Sequence, residues 1–437
     1  MKYKPYTLHN FKEIPQIQKL SKQTILEIET ISRIFPLRTN NYIVEHLIDW
    51  ENWQEDPLFI MHFPLKAMLL SGHFSMIETA LHDGASKSEI DSLVRKIHAE
   101  LNPHPAGQAK YNIPVSENRH IHGMQHKYNE TLLVFPAHGQ SCQAYCTFCF
   151  RWPQFTKIPD FRFALHDIQS MISYLKKNPL ISDVLFTGGD PMIMNIKYLK
   201  EYIEPILEAD LPHVRTIRIG TKSLAHWPFR FLTDPDATEV LQLFEKVTQA
   251  KKNLAFMAHF SHPRELETEA VQEASYKILK TGAQIRTQSP ILNHINNEAG
   301  LWHAMWRKQV DLGMTPYYMF VPRNTGNHKY FEVSLIEAWN VFRKAYSNVS
   351  GICRTVRGPI MSSDPGKIHI VGVAEINQQK VIVLNFVQGR NPDWNCKPFF
   401  AEYNESAAWL DDLKPAFGQK EFFYQEQLNR IYDKLTP

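Results

Sequence analysis

Apolar, β-branched runs recur along this chain with amphipathic stretches between them. The runs at 131–137, 182–187, 214–220, 254–260, 283–288 and 316–321 read as strands. Between them, 165–177, 197–209, 236–250, 267–281 and 298–312 carry apolar positions at helical spacing, and a further helix is expected at 334–345. Alternation this regular predicts parallel βαβ units. Six units fit an open three-quarter barrel better than a closed eight-stranded one, with an open doubly wound sheet as the structural alternative.

The flanks read differently. Residues 1–125 look mainly helical, with a Pro-rich stop at Asn102-Pro103-His104-Pro105, and 126–348 hold the βα units. From 349 to 437 the chain turns to short strands, with a hairpin expected from 367–373 and 380–386 around Asn377-Gln378-Gln379.

Polar and Gly-rich interruptions gather at the C-terminal ends of the expected strands, where barrel folds place their chemistry. Cys142–Cys149 follow the first strand, and Thr187-Gly188-Gly189-Asp190-Pro191 closes the second. Gly220-Thr221-Lys222 closes the third, His259-Phe260-Ser261-His262-Pro263 the fourth, and Gln288-Ser289 the fifth.

Composition narrows the class. At 437 residues and 43% hydrophobic, the chain can bury a sizeable core across two or three units. Its 48 basic and 45 acidic residues give a net charge of +3, which leaves no nucleic-acid footprint. No apolar run approaches the about 18 residues a membrane span needs, and Met1-Lys2-Tyr3-Lys4-Pro5 opens no signal sequence. A cytoplasmic protein with no membrane partner is expected. Among the 20 His, His120, His122 and His126 cluster without a nearby Cys or carboxylate and read as ordinary polar residues.

Three of the five cysteines stand in Cys142-Gln143-Ala144-Tyr145-Cys146-Thr147-Phe148-Cys149, a C-x3-C-x2-C spacing. Three thiolates on one loop can hold three corners of a 4Fe-4S cluster and leave the fourth iron open. A structural zinc site would want four closed ligands, and Cys353 and Cys396 supply no second pair.

This loop resembles the signature of the radical S-adenosylmethionine (SAM) enzymes. The run Cys149-Phe150-Arg151-Trp152 extends the likeness toward their lysine 2,3-aminomutase branch. The resemblance implies a partial (βα)6 barrel, a cluster on Cys142, Cys146 and Cys149, and SAM on the open iron. Reductive cleavage of SAM would then give a 5′-deoxyadenosyl radical, with flavodoxin or ferredoxin as electron donor; a homo-oligomer is compatible with it.

It also assigns residues. Gly188, Gly189, Asp190, Arg218, Thr221, His262 and Gln288 fall where family members contact SAM, and Arg151 where they hold the substrate α-carboxylate. Lys367, in Ser362-Ser363-Asp364-Pro365-Gly366-Lys367, resembles their pyridoxal phosphate lysine. The aminomutases grip that phosphate with two arginines before the first strand; here Lys127 and uncharged Thr131 take those places. Two aspartates that clasp the distal ammonium of lysine are matched to Asn297 and Arg323. An amide and a guanidinium cannot neutralise an ammonium, so free lysine is not the expected substrate. An acidic amino acid is expected instead, as in the glutamate 2,3-aminomutases, where a basic residue and an amide also replace the acidic pair. A radical SAM reaction without pyridoxal phosphate (epimerisation, dehydrogenation or peptide modification) is the alternative, and a non-catalytic metalloprotein the rival from another class.

Overall fold

Eleven strands line up in one sheet in the order of the chain. β1 (Met124–Tyr128) pairs antiparallel with β2 (Thr131–Val134). From β2 the sheet is parallel through β3 (Asp183–Phe186), β4 (Thr216–Thr221), β5 (Asn253–His259), β6 (Gln284–Pro290), β7 (Thr315–Phe320) and β8 (Arg357–Ser362). β9 (Gly366–Ile376), β10 (Gln379–Gly389) and β11 (Pro398–Glu402) continue it antiparallel. This is a computed structural model, and it describes residues 1–70, 72–102, 111–116, 119–156 and 163–435. The stop expected at 103–105 lies outside the described residues.

Six helices make the parallel crossovers: α1 (Ile168–Lys177), α2 (Ile196–Glu208), α3 (Ala237–Gln249), α4 (Glu269–Lys280), α5 (Ala299–Asp311) and α6 (Leu335–Ser347). The starts of α1, α2, α4 and α6 are set by side chains that satisfy free N–H groups. Asn195 caps α2 through Tyr198 N, and Thr268 caps α4 through Val271 N. In α2 the apolar positions Leu199, Tyr202, Ile203 and Ile206 fall on one stripe and are buried.

The strands alternate in register with that stripe. Val184, Phe186, Ile217, Ile219, Leu254, Phe256 and Ile285 join the helices in a single core. Asp183, Arg218, His259 and Gln288 therefore occupy the opposite face. The sheet also rolls back on itself. Lys127 Nζ in β1 donates to Ser363 O beyond β8 at 2.5 Å, and Lys367 Nζ in β9 lies 5.2 Å from the Tyr128 ring. A sheet whose first and ninth strands touch, with its crossover helices gathered in one core, is a barrel rather than a flat doubly wound sheet. The expected open barrel is what forms.

The sequence pattern had not shown β8, because Gly358-Pro359 in its middle reads as a strand breaker. It pairs with β7, so the sheet runs on across 348/349. The hairpin forms as β9–β10, with Asn377 and Gln378 at φ of 50° and 64°, the left-handed geometry of a two-residue turn. Residues 1–102 are mainly helical, including Lys22–Ile31, His73–His82 and Lys87–Leu101, and their cores reach into the barrel mouth. No helix among the described residues is long and apolar enough to cross a membrane.

Candidate active site

The cysteine loop leaves β2 through Phe135-Pro136 and is held by the N-terminal region. Tyr145 N donates to Arg38 O at 2.7 Å, and Thr147 N and Oγ1 donate to Met61 O and Ile60 O at 2.9 and 2.8 Å. Tyr3 Oη donates to Gln143 O at 2.7 Å. Ala144 is buried in the N-terminal core, and Tyr145 and Trp152 are buried in a second cluster with Ile31, Phe35 and Ile97. Residues 1–102 thus form a backing plate for the loop, which nothing in their own composition announces.

Burial raises all three thiols, Cys149 to about 11, and for Cys142 and Cys146 the neighbouring thiolates add to it. Ionising three thiols so close together needs positive charge among them, which iron would supply. Among the described residues no three His, Cys, Asp or Glu side chains converge on one point as a single metal ion would require. A cubane does not require it, since each thiolate reaches a different iron. The Gln143 amide beside Cys142 is buried with neither atom hydrogen-bonded, and neither is the Tyr145 hydroxyl. Such orphaned polar atoms at the loop fit a site built around a charged group.

Gly188 and Gly189 are pressed against this loop. A Cβ on Gly189 would stand 2.4 Å from Ser141 O and 2.6 Å from Ser141 N, and one on Gly188 would stand 2.3 Å from Gln140 Nε2. Gly189 is therefore required by the close approach of two backbones, and Gly188, at φ of 139°, by its backbone conformation and the Gln140 side chain against it. Asp190 N completes the contact by donating to Ser141 O at 2.7 Å.

Asp190 and Thr221 meet, but they spend their polar atoms on each other. Asp190 is buried and accepts from Thr221 Oγ1 at 2.7 Å, Met192 N and Lys222 N at 2.9 Å, and Ser223 Oγ at 3.0 Å. Thr221 shares the helix-facing parity of Ile217 and Ile219. Arg218 is bidentate on Asp183, at 2.8 and 2.5 Å. His262 is buried and held neutral, lowered to about 4 by burial and by Arg264, and its Nδ1 accepts from Arg264 N at 3.3 Å. The Gln288 amide, on the inner face of β6, makes no hydrogen bond among the described side chains.

Beyond the loop, Arg151 and Arg323 both approach Phe150, their guanidinium carbons 5.4 and 4.7 Å from its ring centre. Arg323 also donates to Ser362 Oγ at 3.3 Å, and neither arginine makes an ion pair among the described residues. Burial lowers both to about 10, and for Arg151 the charge of Arg323 adds to it. Asp364, which the sequence reading passed over, exerts its charge on Arg323 and Lys127 from the turn after β8. Lys127 itself is lowered well below its ordinary value, by burial and by the charges of Arg390 and Arg323.

Lys367 stands where β9 begins. Its Nζ donates to Gln388 Oε1 at 2.9 Å and faces the rings of Tyr128 and Tyr318 at 5.2 and 5.3 Å. Burial, then the charges of Arg218 and Arg357, lower it to about 7. A buried amine that is half neutral near pH 7 suits carbonyl chemistry, so the lysine fits pyridoxal phosphate.

Asn297 is the expected site residue that the structure does not bring in. It lines a surface cleft with Ser334, Glu337, Asn340 and Glu405, and donates to Asn293 Oδ1 at 3.3 Å. The inward amide of that turn is Asn296, which donates to Ser261 O and Pro290 O at 2.8 and 3.1 Å. A one-residue offset in a loop is beyond what spacing alone can resolve.

Known proteins bear on this geometry. No family model matches the chain. A protein of Aquifex aeolicus named "Putative L-lysine 2,3-aminomutase" is 30% identical over 396 residues, which is 91% of this chain and 92% of the relative. The glutamate 2,3-aminomutase of Clostridioides difficile is 29% identical over 211 residues, 48% of this chain and 47% of that protein. The L-lysine 2,3-aminomutase of Clostridium subterminale is 25% identical over 268 residues, 61% of each. Among solved structures, a radical SAM methyltransferase from Sphaerobacter thermophilus aligns with a TM-score of 0.37 at 13% identity, over 68% of this chain and 96% of that one; the barrel assignment rests on strand order instead. With near full-length similarity to the first relative, a C-x3-C-x2-C loop at the mouth of a partial barrel and a buried lysine opposite it, this chain belongs to the lysine 2,3-aminomutase branch of the radical SAM enzymes.

Proposed function

We propose that this enzyme moves the α-amine of an acidic amino acid to the neighbouring carbon. Cys142, Cys146 and Cys149 hold the 4Fe-4S cluster. SAM bound there supplies, on one-electron reduction by a flavodoxin- or ferredoxin-type donor, the radical that takes a hydrogen from substrate, and pyridoxal phosphate on Lys367 supplies a conjugated system that lets the amine migrate.

The chain's own residues carry the rest. Arg151 takes the α-carboxylate and Arg323 the distal acidic group, each by a planar fork of donors matched to a carboxylate. The Gln288 amide has donors and an acceptor to spare for SAM, whereas Asp190 and Thr221 fix the turns after β3 and β4 to each other. His262, held neutral, adds no charge to the pocket. The observation that carries this reading is the pair of guanidiniums at Phe150, neither of which makes an ion pair among the described residues, with Asp364 acting on Arg323 only through its charge. Two buried guanidiniums without a direct ion pair are costly, and a dicarboxylic substrate relieves both.

A second reading has its own observation. Lys127 is committed to Ser363 O and Thr131 is uncharged, so neither stands in for the phosphate-gripping arginine pair. A radical SAM reaction without pyridoxal phosphate would ask for no such pair. Incubating the reduced enzyme with SAM and glutamate separates the readings. A β-amino acid product that depends on added pyridoxal phosphate and is lost in Lys367→Ala supports the first. Formation of 5′-deoxyadenosine without cofactor uptake supports the second.

A further inference from the structure

The phosphate grip has a replacement elsewhere in the barrel. Resting on the proposal that Lys367 carries pyridoxal phosphate, we propose that Arg357 anchors the cofactor's phosphate.

The charges of two arginines act on Lys367, Arg218 in β4 and Arg357 in β8, the strand paired with Lys367's own. Arg218 is already neutralised by Asp183, which takes two of its nitrogens. Arg357 makes no ion pair and no side-chain hydrogen bond among the described residues. Its guanidinium carbon lies 4.5 Å from the Tyr318 ring centre and 4.6 Å from that of Tyr317. Lys367 Nζ lies 5.3 Å from the same Tyr318 ring. Amine and guanidinium therefore share one aromatic neighbour, the Tyr318 ring.

The local fold explains why an arginine can wait there. The register between β6 and β7 slips after Thr287, and Tyr317 and Tyr318 end with ring centres 4.3 Å apart. Arg357 pairs with Tyr318 across the β7–β8 ladder, so its guanidinium comes to lie against both rings. Stacking on aromatic faces holds the planar group in place and leaves its N–H donors for an anion. A phosphate is the anion that suits such a fork, since it accepts two parallel N–H bonds. Two places expected to supply this contact are otherwise engaged: Lys127 Nζ donates to Ser363 O, and the Thr131 hydroxyl points to Asp183 Oδ2 at 3.5 Å.

The test compares pyridoxal 5′-phosphate with pyridoxal, which lacks the phosphate, by titrating each into the iron-loaded protein and following the cofactor's visible absorbance. Wild type is expected to prefer the phosphorylated form. Arg357→Gln should lose roughly 10- to 100-fold in affinity for it, as a lost charge-assisted contact does, with pyridoxal binding unchanged, and Arg357→Lys should recover part of the loss. Thermal melting and iron content equal to wild type show that the variants are folded. A folded Arg357→Gln protein that keeps the wild-type preference overturns the anchor while leaving pyridoxal phosphate on Lys367 intact. A wild type that takes up neither compound, with Lys367→Ala indistinguishable from it, overturns both.

Discussion

Arg151 and Arg323 converge on one aromatic ring, 5.4 and 4.7 Å from the centre of Phe150, although 172 positions of chain separate them and one follows the cysteine loop while the other follows β7. Phe150 is itself exposed, so the pair borders the open mouth. In the proposed function this pair binds the two carboxylates of an acidic substrate. Arg323→Ala is expected to weaken binding of an acidic amino acid by roughly one to two powers of ten, because a hydrogen bond to a charged group contributes about 1.5–3 kcal/mol. Arg323→Asp should shift preference toward a cationic substrate. Competitive binding of glutamate and lysine measures both, and wild-type turnover of lysine with acidic amino acids inert would refute this reading of the pocket.

Iron should accompany the three clustered cysteines. Anaerobic purification is expected to give a brown protein with about four irons per chain, as the cubane stoichiometry requires. The triple variant Cys142→Ala, Cys146→Ala, Cys149→Ala should be colourless and release no 5′-deoxyadenosine from SAM under dithionite. Zinc in place of iron, or colour persisting in the variant, would count against the cluster.

Gly189→Ala tests the contact between the second strand end and the cysteine loop. The added Cβ meets backbone atoms of Ser141 at 2.4 and 2.6 Å, so the loop must move rather than a flexible side chain. Overpacking of this kind costs about 1–3 kcal/mol, and the displaced loop should hold less iron. Iron content and melting temperature both report it; full iron at wild-type stability would show that the two backbones can separate freely.

Lys222 and Glu265 form an ion pair at 2.6 Å with side chains only 8% and 0% exposed. Glu265 also accepts from Ser261 N and from His262 N at 3.0 Å, which ties the end of β4 to the turn after β5. Removing one member of a buried pair strands the other charge, at about 3–5 kcal/mol. Glu265→Gln should therefore lower the melting temperature markedly, whereas Lys222→Met combined with Glu265→Leu should recover much of the loss. Equal melting of the single and double variants would show that the charge is not stranded.

Uptake of pyridoxal phosphate should rise with pH through about 7. In the proposed attachment the neutral amine of Lys367 would be the nucleophile; burial and the charges of Arg218 and Arg357 disfavour its protonated form and lower it to about 7, with Asp183 acting the other way. Tyr128, Tyr318 and Gln388 also lie close to it, and Lys127 is near enough for the two amines to act on each other. The amine is mostly charged at pH 6 and mostly neutral at pH 8, so the rate of uptake should be several-fold higher at pH 8. Stopped-flow absorbance measures it, and a rate flat between those values would place the titration elsewhere.

The barrel was legible because its evidence is local. Each of the six strands read from apolar runs is present, since a strand buried under helices needs alternation or continuous apolarity whatever it pairs with. The same holds for the cysteine loop, where ligand spacing is itself a sequence property. β8 was not legible, because Gly358-Pro359 is a breaker locally and is accommodated only by the neighbouring β7 and β9. Nor was Asn296 distinguishable from Asn297: which of two adjacent amides turns inward depends on how the chain enters α5.

Long-range convergence decided the rest. The sequence alone established a row of βα units and three clustered thiols. Only the rolled sheet determined that Arg218 is spent on Asp183 while Arg357 stays unpaired beside Lys367, and that the first 102 residues brace the cysteine loop. The charge of a residue is written in the chain, but whether that charge has a partner depends on distances between strands that closure of the barrel alone sets.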